Sequence, residues 1–204
     1  MNTPARLVVL VSGSGTNLQA ILNACQDGSL AASVEGVISN LAEAYALERA
    51  RTVGVPAVVL PLAKGQKRTE YDQKLAELVA GFQPDWVVLA GWMRILTNPF
   101  LECFPNRVIN LHPALPGKYP GTHSIARALQ DFQAGLITET GVMVHLVPDE
   151  GVDNGPVLDW RAVPILPTDT LETLEERVHT VEHELLVSTL KNLILKKHIL
   201  NTGG

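Results

Sequence analysis

Apolar positions along the chain fall into two rhythms. Short runs predict strands at "RLVVLVS" (Arg6 to Ser12), "ASVEGVISN" (Ala32 to Asn40), "VPAVVLP" (Val55 to Pro61) and "PDWVVLAGW" (Pro84 to Trp92). The first and last of these are apolar on both faces, which suits central parallel strands. Between them lie segments with helical spacing. "NLQAILNACQ" places Leu18, Ile21, Leu22 and Cys25 on one face. "AEAYALERARTVG" ends on Gly54, a plausible C′ glycine. "RTEYDQKLAELVAGF" turns Leu75, Leu78 and Val79 inward. Strands that alternate with helices predict βαβ units, and hence an α/β fold with a doubly wound, mostly parallel sheet.

After Arg107 the rhythm changes. "RVINL" predicts a strand and "SIARALQDFQAG" a helix. "ETGVMVHLV" and "GPVLDWRAVPI" predict two strands around a compact acidic loop, "PDEGVDNG". "TLETLEERVHTVEHELLVSTLKNLIL" predicts a long last helix. No internal repeat, low-complexity segment or linker interrupts the chain. The simplest organisation is a single domain over 1–204, with a phosphate-binding half (1–105) and a second half (106–204).

Composition narrows the function. A net charge of −5 argues against a nucleic-acid partner. No apolar run approaches the roughly 20 residues that span a bilayer. Cys25 and Cys103 lie far apart and lack metal-ligand spacing, so free thiols in the cytoplasm are expected.

Two loops carry candidate chemistry. "SGSGTN" (Ser12 to Asn17) sits between the first strand and the first helix, where glycine N–H groups and the helix terminus attract an anion. Leu18 stands where a dinucleotide fingerprint needs its third glycine, and no lysine completes a P-loop. The loop therefore suits a lone phosphate, with Ser12, Ser14 and Thr16 as hydroxyl donors; the alternative is a plain turn capped by Thr16 or Asn17.

The second loop is "VINLHPALPGKYPGTHS". Asn110 and His112 are two apart and project to the same side of an extended chain, and Pro113, Pro116 and Pro120 stiffen the loop beyond them. Asp149, Glu150 and Asp153 come after another strand in the same half. A carboxylate near the imidazole is expected to raise its pKa, and an imidazolium beside an amide makes a donor pair for a developing oxyanion. No serine or cysteine pairs with His112 as a nucleophile. His145 faces either the site or the core. His179 and His183 lie four apart on one helix but lack a third ligand, so no metal is expected.

"VLVSGSGTNLQAIL", "LAGWMRIL", "NLHPALPGKYPGTHS", "TGVMVHLVPDEGVDNGPVL" and "RVHTVEH" occur in that order. Together they resemble the folate-dependent phosphoribosylglycinamide formyltransferases of purine biosynthesis, from Arg6 to about Leu190. The resemblance implies the formyltransferase type of doubly wound sheet and transfer of a formyl group from 10-formyltetrahydrofolate, a co-substrate, to a ribonucleotide amine. It implies Asn110, His112 and Asp153 as catalytic residues, Asp153 being preferred over Asp149 for its spacing to Gly155 and Pro156. It places phosphate on Gly15, Thr16 and Asn17, and ribose hydroxyls on His179 and Glu182. It places folate against Arg68, Met93, Arg94, Ile95, Leu96 and Asn110. The loop departs from the common family pattern at Ala114 and Gly117. Partners are expected to be small molecules, with no nucleic acid, membrane or metal, in a monomer or homodimer. The alternatives are formyltransferases acting on methionyl-tRNA or an amino sugar nucleotide, a formate-releasing hydrolase and a ligand-sensing module. The tRNA enzyme and the hydrolase are expected to carry further domains.

Overall fold

The computed structural model describes residues 3–202. Seven strands form one sheet: β1 (Ala5–Val11), β2 (Ala32–Ser39), β3 (Ala57–Val59), β4 (Trp86–Leu89), β5 (Val108–His112), β6 (Glu139–Leu146) and β7 (Val157–Pro164). Among the described residues six helices accompany them: α1 (Thr16–Gln26), α2 (Tyr45–Thr52), α3 (Arg68–Gly81), α4 (Asn98–Leu101), α5 (Ser124–Gln133) and α6 (Leu171–Thr202). The strand order is β3-β2-β1-β4-β5-β6-β7. β1 to β5 run parallel, and β6 and β7 join antiparallel. The doubly wound, mostly parallel α/β sheet expected from the sequence is present.

The sheet is apolar on both faces because helices cover both. On one side Leu7, Val9, Val88, Ile109 and Val142 pack with Leu18 and Ile21 of α1 and Leu185 and Leu186 of α6. On the other, Val8, Leu10, Val87 and Val108 pack with Leu75 and Val79 of α3 and Phe100 of α4. Alternate residues of β1 thus serve opposite layers, as a period of two requires. Leu78 is only partly buried. Gly54 stands just beyond α2 with φ 75 and its N–H on the Arg51 carbonyl.

Parallel strands bring their carboxyl ends to one edge, the usual ligand edge of such sheets. Ser12 ties that edge together. Its N–H donates to the Gly91 carbonyl (3.0 Å), its hydroxyl donates to Asn40 Oδ1 (2.6 Å), and its Oγ accepts from the Met93 N–H (2.9 Å). The chains leaving β1, β2 and β4 are thereby fixed to one another. This corrects the expectation that Ser12 offers a free hydroxyl to an anion.

The short helix α4 has no signature in the sequence, since "NPFL" is too brief to show a period. The segment leading into it is held from below. Buried Asp72 on α3 accepts both the N–H and the hydroxyl of Thr97 on one oxygen, each at 2.7 Å. Asp72→Ala would leave both donors unpaired in a buried place. It should lower unfolding free energy by roughly 2–3 kcal/mol, read as a fall in urea midpoint with unchanged slope. A loss within error would show that Thr97 finds other partners.

Candidate active site

The first ligand loop is built around Gly15. It precedes α1 with φ 74 and ψ 32, and no side chain caps the helix. The alternative of a Thr16 or Asn17 cap is therefore not what forms. A Cβ on Gly15 would lie 2.5 Å from the Ala46 Cβ, so α2 leans against the loop where only glycine fits. Arg49 of α2 donates from Nε to the Ser14 carbonyl at 2.8 Å. Asn17 donates to Glu182 of α6 at 3.2 Å, and Glu182 accepts from His179 Nδ1 at 2.7 Å. The hydrogen bond to Glu182 holds the His179 pKa above the ordinary imidazole value. Asn17 Oδ1 is buried and has no partner among the described residues. Asn17, far from the other two in sequence, forms one chain of contacts with Glu182 and His179 beside Gly15 and Thr16.

The second cluster centres on Asp153. Asn110 donates from Nδ2 to Asp153 Oδ1 at 3.0 Å, and the Gly121 N–H donates to Oδ2 at 2.8 Å. His112 Nδ1 lies 3.2 Å from Oδ2. Asp153 is thus the loop acid that joins Asn110 to His112. Asp149 accepts the Gly151 N–H, and Glu150 turns outward to Arg68 and the Asn98 N–H. Asp153 sits at φ 50, a left-handed conformation that aspartate tolerates better than most residues.

His145 completes the cluster, resolving the choice that the sequence left open. Antiparallel pairing sets it opposite Asn110. Its Nδ1 lies 2.8 Å from the Leu146 carbonyl, a tautomer that leaves Nε2 to accept the second Asn110 N–H at 3.1 Å. The β6–β7 register slips at Val144/His145, a kind of irregularity common beside active sites. Sequence alternation could place His145 on a face, but only sheet register pairs it with Asn110.

The loop after β5 reaches His112 through its backbone. Leu115–Lys118 closes a turn, with the Lys118 N–H on the Leu115 carbonyl at 2.9 Å and Gly117 at φ 73. Proline then glycine at its centre is the type II pattern. The departure at Gly117 therefore has a local reason, because proline cannot take that φ. The turn sets the Lys118 carbonyl 3.3 Å from His112 Nε2.

One expectation is overturned. Burial pushes the His112 pKa below the ordinary value, outweighing the pull of Asp153 and of the Lys118 carbonyl. Burial works to raise Asp153, but the His145 side chain, the Gly121 N–H and the nearby His112 imidazole hold its net pKa below the ordinary range.

The residues expected to meet folate lie on the segment after β4. Met93 is 68% exposed and Ile95 45%, whereas Leu96 is buried at 2% and packs into the core. Leu96 can face a ligand only through its backbone. Arg94 lies over the Tyr71 ring at 5.1 Å. Arg68 donates to the Ile95 carbonyl at 3.2 Å and lies 3.9 Å from Glu150. The acidic loop thus touches this segment at one end and the His112 cluster at the other.

A model of the formyl transferase family matches residues 5–190. The chain belongs to the formyl transferase family. Within it, phosphoribosylglycinamide formyltransferase of Dictyostelium discoideum is 45% identical, covering 93% of this chain and 98% of that protein. The Escherichia coli (strain K12) protein of the same name is 40% identical, covering 94% and 90%. The crystal structure of glycinamide ribonucleotide transformylase 1 from Symbiobacterium toebii superposes with a TM-score of 0.88 at 41% identity, covering 94% of this chain and 88% of that one.

In this formyl transferase the tight fit at Gly15 can be measured directly. Gly15→Ala should displace α2 and cost at least about 1–2 kcal/mol from the left-handed backbone alone, read by thermal melting. A melt identical to the parent would mean α2 yields freely. The His112 pKa carries a pH dependence. The folded protein resists protonating His112 more than the unfolded chain does. Its contribution to stability is therefore full above pH about 6.5 and falls as pH drops through that value. His112→Asn should flatten the fall in urea midpoint between pH 7 and 5 (roughly the imidazole window); an unaltered slope would assign the effect to other groups.

Proposed function

We propose that the protein transfers a formyl group from 10-formyltetrahydrofolate to the amine of 5-phosphoribosylglycinamide, a step of de novo purine biosynthesis. The observation that carries this reading is the half-buried carboxylate of Asp153, shared by Asn110 and His112 at 3.0 and 3.2 Å. Such a trio has no nucleophile of its own, and it suits a reaction whose nucleophile is the substrate amine. The family match over 5–190 and relatives named for this reaction support the same choice.

In this reading residues 1–204 act as one formyltransferase unit. Gly15, Thr16 and Asn17 hold the phosphate, and His179 and Glu182 hold the ribose. Arg68, Met93, Arg94, Ile95 and the Leu96 backbone receive the folate. The amine attacks the formyl carbon, forming the new C–N bond while charge gathers on the carbonyl oxygen. Asn110 turns one N–H from its resting partners to that oxygen. His112, neutral at rest, takes the proton that the amine releases, and Asp153 stabilises the imidazolium so formed. His112 then returns the proton to the folate nitrogen as the old C–N bond breaks. The charge on His112 is thus a transient of the reaction and not a property of the resting site.

The protein works in the cytoplasm as a monomer or homodimer. Two free cysteines support this compartment. Among the described residues no helix is long and apolar enough to cross a membrane.

The test is a transfer assay with glycinamide ribonucleotide and 10-formyltetrahydrofolate, with formate measured in parallel. The parent should transfer and release little formate. His112→Ala and Asp153→Asn should each lose on the order of 10²–10⁴ in kcat, the usual contribution of a positioned general acid–base, while KM changes little. Formate release without transfer would make the protein a hydrolase, and near-normal turnover in both variants would remove the trio from the mechanism.

A further inference from the structure

The loop between β5 and α5 hydrogen-bonds to the Asp153 cluster through backbone atoms, so something must hold its backbone. Tyr119 lies in the left-handed region, at φ 46. An aromatic residue there is strained, at a cost of order 1–3 kcal/mol, and persists only where its surroundings over-determine it. The surroundings are two side chains of α5. Arg127 donates from Nη2 to the Tyr119 carbonyl at 2.5 Å and to the Pro120 carbonyl at 2.7 Å. Its guanidinium also lies 5.7 Å from the Tyr119 ring centroid. Asp131, one turn further along α5, accepts the Tyr119 hydroxyl at 2.6 Å. Tyr119 is gripped at both ends from a single helix.

The neighbours of the grip give it meaning. Lys118, the residue before Tyr119, presents its carbonyl to His112 Nε2. Gly121, two residues after, donates its N–H to Asp153 Oδ2. A shift of the gripped peptide moves both contacts together. Displacements of about 1 Å at a reacting centre can cost on the order of 10²-fold in rate.

We infer that Arg127, with the Tyr119–Asp131 pair, is a positioning residue for formyl transfer: it fixes the loop so that the Lys118 carbonyl and the Gly121 amide keep His112 and Asp153 in register. Arg127 touches neither substrate nor reacting atoms in this assignment. The planar guanidinium suits the task because one nitrogen reaches two adjacent carbonyls while the plane covers the ring. The inference rests on the proposed transfer reaction, but its geometry can be tested without turnover.

Two measurements on Arg127→Ala, Arg127→Lys and Tyr119→Phe decide it. In the transfer assay, Arg127→Ala should lose on the order of 10²-fold in kcat with both KM values nearly unchanged. Arg127→Lys should recover part of the loss, and Tyr119→Phe, which keeps the carbonyl grip, should lose less. In histidine NMR of the same proteins without substrates, the His112 titration should move up toward the ordinary imidazole value in Arg127→Ala. Loosening the loop relieves the burial that holds it down, while Asp153 and His145 remain the titratable groups facing the ring. Tyr119→Phe keeps the inference testable should Arg127→Ala fold poorly. Unchanged kcat and an unchanged His112 titration would overturn the proposal, as would a loss confined to thermal stability. A parent that fails to transfer but shows the titration shift would sink the assigned reaction and leave the grip standing.

Discussion

One half-buried carboxylate must find partners, and the second half of the protein is arranged so that it does. Asp153 lies on an irregular loop and would be costly to hide alone. It draws an amide from β5, a backbone N–H from the loop before α5, and the imidazoles of β5 and β6. Three segments thus converge on two oxygens. Remove the charge and each of these segments loses its common point.

The same carboxylate acts on the pKa of His112. Its ring nitrogens face Asp153 and the Lys118 carbonyl, both of which favour a proton. Burial opposes them and wins. In the proposed transfer reaction such a site would gain its positive charge when a substrate brings the proton. An imidazole already charged would have nothing to accept.

Much of the sheet was legible because parallel strands buried on both faces write themselves as unbroken apolar runs. β1 and β4 are such runs, and α1 and α3 show their buried stripes plainly. The convergence of Asn110, His112 and Asp153 was legible through spacing and resemblance. Other features were hidden for physical reasons. α4 is too short for a period. Ser12 reads like any donor in a glycine loop, and nothing in its neighbours reveals that Asn40 and Met93 already engage it. The His112 pKa depends on how completely the loop covers it, and a nearby carboxylate in the sequence pointed the wrong way. His145 and Arg127 act across register and across a helix face, and both become visible only once strands are paired.

The turn at Leu115–Lys118 has a consequence for how this family of sequences can drift. Between Pro113 and Gly121 the chain must deliver one acceptor and one donor at fixed places, and a left-handed residue lies on the way to each. Side chains there are free to vary where they point outward, as Pro116 and Lys118 do. Residue number is not free: an insertion or deletion of one position would put a different peptide group against each partner. Lineages should therefore tolerate exchange of letters in this segment far more readily than any change in its count.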